Sequence, residues 1–143
     1  MDVKMSKEEL GAFLDAQFEQ VAKDFVVEEV RPMGITVRKL VQQKHLRPGG
    51  TVSGPTMFAL ADVCVYLAIL GMVGPKALAV TTNCSIDFMR KPAAATDLIA
   101  DCTLHKLGKV LAVGDVLIRS EGQEAPVARA TLTYSIPPEP AAS

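Results

Sequence analysis

Residues 56–73 constrain this chain more than any other stretch. The run TMFALADVCVYLAILGMV holds a single charge, Asp62. Met57, Phe58, Leu60, Val63, Val65, Leu67, Ile69 and Leu70 surround the whole helical wheel and leave no face for water. A helix apolar all round is either a membrane span or the centre of a protein core. Eighteen residues is near the shortest length that crosses a bilayer. Asp62 within the run, Gly71 and Gly74 at its end, and strand patterns after it favour burial in protein. Met57, Phe58, Tyr66 and Met72 fit a core and a pocket wall equally well.

The flanking segments supply the rest of a layered domain. Ser6 with Glu9 three positions on is a capping box, and Leu10, Phe13, Leu14, Phe18 and Val21 continue as one apolar stripe of a first helix. Phe25–Arg31 and Ile35–Gln43 are rich in β-branched residues around Pro32-Met33-Gly34, which predicts a hairpin. The breaker clusters Arg47-Pro48-Gly49-Gly50 and Ser53-Gly54-Pro55 precede the apolar helix. From Ala77 the period becomes two. Leu78, Val80, Thr82, Cys84, Ile86 and Phe88 fill the even positions and predict a long strand with one buried face. Strands near Leu98–Leu107, Val110–Arg119 and Val127–Ile136 follow, parted by Gly108-Lys109 and Glu121–Pro126.

Connections this short exclude parallel crossovers and predict four strands in antiparallel succession. The expected fold is α+β, with one curled antiparallel sheet wrapped around the apolar helix. The expected organisation is a helical extension over 1–24, one domain over 25–137 and a loose tail over 138–143.

Charge and cysteine usage narrow the partners. Fifteen basic and sixteen acidic residues in 143 give a net charge of −1, without the basic excess that nucleic acid or an anionic membrane surface demands. Cys64, Cys84 and Cys102 are odd in number and never spaced as CxxC, and no apolar leader follows Met1. The expectation is reduced thiols in a cytoplasmic protein. His45 and His105 share no metal-ligand spacing, so no metal site is expected.

Two features carry chemistry. Asp62 lies two turns inside the helix, too deep to be an N-cap, and an unpaired carboxylate there is costly. It is either a buried structural group, bonded to a strand or paired with a cation, or a catalytic carboxylate at a cleft edge. Ser53-Gly54-Pro55 opens the same helix, where free N–H groups and the dipole suit an oxyanion. Pro55 forfeits its donor, leaving Gly54 N–H as the best placed, although a plain helix start explains the same residues. Eight residues separate Gly54 from Asp62, about 12 Å along a helix axis. One carbonyl cannot touch both on a single helix. Two copies related by a dyad could bring Gly54 of one to Asp62 of the other, so a working site requires a homodimer. Arg90-Lys91, after the long strand, are solvated loop charges or a handle for a phosphate-rich ligand. No GxSxG, GxGxxG or P-loop pattern is present.

The segments GTVSGPTMFALADVCVYLA (50–68) and TTNCSIDFMRKP (81–92) resemble hotdog-fold acyl-CoA thioesterases of the phenylacetate-degradation (PaaI-like) type. The resemblance implies a hotdog fold and a cofactor-free homodimer, or a dimer of dimers, that hydrolyses an acyl-CoA to free acid and CoA. It makes Gly54 the holder of the thioester oxygen and Asp62, from the opposite chain, general base or nucleophile. Thr81 falls where relatives place the attacking water with Ser or Thr. Arg90 and Lys91 lie near the coenzyme A phosphates. The family signature has His-Gly-Gly at the helix entrance and an Asn before it. Here Ser53 replaces the His, Pro55 the second Gly and Arg47 the Asn, and these three are expected to line the substrate. Neither His45 nor His105 takes the place of the dehydratase histidine. The rival reading is a non-catalytic acyl-CoA-binding protein of the same fold.

Overall fold

A computed structural model of the chain describes residues 2–75 and 79–138. Helices α1 (Lys7–Gln17) and α2 (Glu19–Ala22) lead into strands β1 (Phe25–Arg31) and β2 (Gly34–Lys39). A short 3-10 turn, Gln43–His45, precedes the long helix α3 (Gly54–Val73). Strands β3 (Val80–Phe88), β4 (Leu98–Leu107), β5 (Leu111–Ser120) and β6 (Pro126–Ser135) complete one six-stranded sheet. All neighbouring strands are antiparallel. The sheet curls around α3, as the composition of that helix requires: Leu60, Ala61, Cys64, Val65, Leu67, Ile69 and Leu70 are fully enclosed.

The strand order is β1-β2-β4-β5-β6-β3. This corrects the expected succession of four strands. β3 does not lie beside β4; it forms the far edge and pairs only with β6, while the segment after Phe88 crosses back to place β4 next to β2. The reading of β3 as a strand with one buried face holds only at Cys84 and Ile86, which pack against the core, and fails at Val80, Thr82 and Phe88. Val80 is 56% exposed and Phe88 52%, whereas Cys84 and Ile86 are half-buried. The ladder slips between Thr81 and Asn83, a β-bulge that adds one residue and moves the inward face from even to odd positions at Thr81. The predicted start of this strand, Ala77 and Leu78, and the tail beyond 138 lie outside the described residues.

Two further expectations need adjustment. The strand predicted over Ile35–Gln43 ends at Lys39, because Leu40 N turns to the Asp24 carbonyl and the chain leaves the sheet. The first helix does carry its capping box, with Ser6 N to Glu9 Oε1 at 3.0 Å and Glu9 N to Ser6 Oγ at 3.1 Å. Its stripe, however, breaks at Phe18 (φ −136°, ψ 46°), so Leu10 and Leu14 enter the core while Phe18 and Val21 stay partly exposed. Lys4 N donates to the Gly71 carbonyl at 2.7 Å, satisfying an end group of α3 and seating the N-terminal segment over its second half.

α3 is not sealed all round either. Pro55, Phe58 and Ala59 are exposed and Asp62 and Val63 half-exposed, a stripe at helical spacing that the sheet leaves uncovered. Beside it runs the unpaired outer edge of β3.

Candidate active site

The entrance of α3 is built by its loop. Gly49 and Gly50 take positive φ (99° and 85°), conformations a side chain would strain, and Gly50 N closes onto the Arg47 carbonyl at 2.9 Å. Ser53 is the N-cap, its Oγ accepting from Thr56 N at 3.4 Å, and Pro55 occupies the first turn. Gly54 N–H has no acceptor among the described residues. The Phe88 ring packs so closely that a Cβ at Gly54 would lie 3.3 Å from it.

This entrance opens into a groove of about 700 Å³, which brings together Arg47, Ser53, Gly54, Pro55, Arg90 and Lys91. Arg47, Arg90 and Lys91 are all exposed along it, so three cations border the helix's positive end. Arg90 is held by its guanidinium on the Pro126 carbonyl at 2.6 Å and by its N–H on Val127. Met57 contributes to the groove wall, whereas Met72 is core.

Asp62 sits elsewhere, in a pocket of about 450 Å³ with Thr81. Thr81 Oγ1 donates to Asp62 Oδ1 at 2.5 Å, and the Tyr134 hydroxyl donates to the same oxygen at 2.7 Å. Burial pushes the Tyr134 phenol well above the ordinary tyrosine range, and the adjacent Asp62 carboxylate adds to this, so Tyr134 remains a neutral donor. Oδ2 takes no hydrogen bond from the described residues. A carboxylate gripped on one oxygen is oriented to use the other on a water or an acyl carbon. Burial and Asp62 also raise the neighbouring Cys84 thiol, which keeps it protonated.

The pocket and the groove share no lining residue. That separation agrees with the axial distance between Gly54 and Asp62 and leaves one chain with an acid in one hollow and the free N–H in another. The remaining pocket walls are apolar and include Leu14, Phe18 and Val21 of the N-terminal helices.

Sequence reasoning missed Tyr134 and left Tyr66 open between core and pocket wall; the structure has it lining the pocket. A signal existed: these are the only two tyrosines in a chain without tryptophan. It also missed the buried set Asp24, Lys39 and His45 behind the entrance loop. Although His45 O accepts from Ser53 N at 3.0 Å, its imidazole faces away, with Nδ1 accepting from Gln42 N at 2.9 Å and Nε2 3.7 Å from Asp24.

Residues 49–127 match the thioesterase superfamily. A candidate thioesterase of Silicibacter sp. TM1040 is 56% identical in sequence, with a TM-score of 0.91 and 96% of each chain covered. The phenylacetic acid degradation protein PaaI of Thermus thermophilus is 27% identical, with a TM-score of 0.67, covering 88% of this chain and 99% of that one. A Streptococcus mutans UA159 protein solved with acetyl CoA shares the fold at 23% identity, with a TM-score of 0.69, 80% of this chain and 90% of that one covered. No curated protein sequence matches this chain. The extent of the family match, together with a central helix wrapped by a curled antiparallel sheet, places the chain in the thioesterase superfamily, as a PaaI-like hotdog thioesterase.

Proposed function

We propose that the protein hydrolyses acyl-CoA thioesters to free acid and CoA at composite sites formed by two copies of the chain. The observation that carries this reading is Asp62, held by Thr81 and Tyr134 on the uncovered stripe of α3. A homodimer is supported by two further facts. Gly54 and Asp62 lie in separate hollows of one chain, and the apolar stripe with Phe58 adjoins the unpaired edge of β3, an arrangement that a second copy would cover. A dimer of dimers is an extension of the same assembly.

In this scheme the thioester carbonyl rests on Gly54 N–H of the partner subunit, and Asp62 faces its carbon. Water adds to that carbon as Asp62 takes its proton, while the negative oxygen accepts from Gly54 N–H. The intermediate collapses, the carbon–sulfur bond breaks, and the proton passes from Asp62 to the departing thiolate. With Asp62 as nucleophile, its oxygen bonds to the acyl carbon as the carbon–sulfur bond breaks and CoA leaves as thiolate. Water then cleaves the resulting anhydride to the free acid and the Asp62 carboxylate, the released proton going to the thiolate. Thr81 holds the carboxylate and adjoins the water position. Ser53, Pro55, Arg47, Arg90 and Lys91 line the groove for CoA, the three cations facing its phosphates. The acetyl CoA bound by the S. mutans protein supports CoA as the carrier. The free thiols of Cys64, Cys84 and Cys102 suit a reducing cytoplasm.

Thiol release from a panel of short, medium and aromatic acyl-CoAs tests the reading. Asp62→Asn keeps the shape of the side chain and is expected to lower turnover about a thousandfold. Equal turnover by the variant overturns the role of Asp62. Tight acyl-CoA binding without release by the unaltered protein identifies a binding protein instead.

A further inference from the structure

The pocket beside Asp62 contains a polar group that hydrolysis does not use. Tyr66 lines this pocket, is 7% exposed, and its hydroxyl is buried without a hydrogen-bond partner among the described residues. Buried hydroxyls are nearly always paired, so an orphan of this kind marks a place where something is bound or stored. The ring is fixed by its own chain: Phe18 meets it edge-on at 5.7 Å, Phe13 lies at 6.5 Å and Tyr134 at 6.1 Å. Leu14, Val21, Val63 and Val80 form apolar walls, which give a solitary water few other partners.

Tyr66 lies one helical turn beyond Asp62, so its offset along α3 is about 6 Å. With a thioester held at Asp62 as in the scheme above, this hollow is the space on the Asp62 side that its acyl chain would enter. We propose that the Tyr66 phenol is a specificity-determining donor for the acyl group, and that the preferred substrates carry a carbonyl or hydroxyl oxygen about five bonds from the thioester carbon. This deepens the thioesterase reading and rests on it. Burial raises the Tyr66 phenol above its usual range, which keeps the proton available for donation. A plain alkyl chain leaves the hydroxyl unpaired; an oxygenated chain satisfies it.

Matched substrates read this directly. Hexanoyl-CoA and 5-oxohexanoyl-CoA differ only at the oxygen in question. The unaltered protein is expected to favour the oxo compound about tenfold in kcat/KM, and Tyr66→Phe to bring the two within about twofold. A merely structural role for Tyr66 would lower both rates together and leave their ratio intact. Calorimetric binding of the free acids, hexanoate and 5-oxohexanoate, repeats the comparison without chemistry. A ratio near one in the unaltered protein, or a preference that survives Tyr66→Phe, overturns the proposal. If Tyr66→Phe loses its fold, the ratio in the unaltered protein alone decides. If neither thioester is cleaved, the thioesterase reading fails, and the binding of the two acids still supports or rejects the role of Tyr66.

Discussion

Thr81 and Tyr134 face each other across the β3–β6 ladder, and their hydroxyls meet on one oxygen of Asp62, at 2.5 Å and 2.7 Å. The bulge after Thr81 makes this geometry, because without the extra residue Thr81 would face the opposite side of the sheet. Thr81→Val and Tyr134→Phe each remove one donor at nearly constant shape. Each is expected to lower kcat about tenfold with little change in KM, since the loss is of carboxylate orientation and not of substrate contact. The double variant should lose less than the product of the two single effects, because both donors serve one oxygen. Steady-state kinetics with circular dichroism to verify the fold would check both points.

A composite site predicts complementation between two inactive proteins. Asp62→Asn removes the acid. Gly54→Pro removes the N–H, and the extended backbone of Ser53 (φ −73°, ψ 154°) tolerates a following proline. Co-refolding equal amounts of the two is expected to restore about a quarter of full activity, since half the dimers are mixed and each mixed dimer has one intact site. No recovery in mixed dimers would place both groups in the same chain's site.

The cations at the groove make a prediction about the carrier. Arg90→Ala with Lys91→Ala should raise KM for an acyl-CoA about tenfold more than for the same acyl group on N-acetylcysteamine, which lacks phosphates. Added salt should weaken CoA thioester binding in the unaltered protein in the same selective way. An equal KM change for both thioesters would mean that these residues do not read phosphate.

Acid stability follows from the buried set behind the entrance loop. Asp24 is 4% exposed, Lys39 4% and His45 9%, with Lys39 Nζ 3.5 Å and Lys44 Nζ 3.3 Å from Asp24 Oδ2. Burial works against the Asp24 charge, but Lys39, Lys44 and His45 outweigh it and hold the carboxyl below its ordinary value. Burial, helped by Lys39, pushes His45 down as well. Both groups therefore bind fewer protons folded than unfolded, and stability is greatest above the ordinary histidine value of 6.5. Tm is expected to decline as pH falls below 6.5, where His45 begins to count, and more steeply below 3.8, where Asp24 joins it. Asp24→Asn strands Lys39 and should cost about 3 kcal/mol at neutral pH. Thermal melts across pH would measure both effects, and a flat profile from pH 7 to 3 would reject the linkage.

Composition and short-range pattern alone determined the core helix, its Ser53 cap and Gly54-Pro55 start, the capping box at Ser6 and Glu9, and strands β4 to β6 close to their observed bounds. Each of these depends on neighbours within a few residues, through helical spacing, capping chemistry or two-residue alternation. The spacing of Gly54 and Asp62, eight residues along one helix, likewise argues for a site shared between copies from the chain order alone. Only the tertiary structure decided that β3 lies at the sheet edge, that Phe18 interrupts the first helix, and that Tyr134 grips Asp62 from 72 residues away. Tyr66 shows the same division: its place on α3 is local, but its orphaned hydroxyl comes from walls contributed by both ends of the chain. Periodicity cannot see a bulge that exchanges two faces, or a partner distant in sequence, because both arise from how strands pair and pack after their local conformations are set.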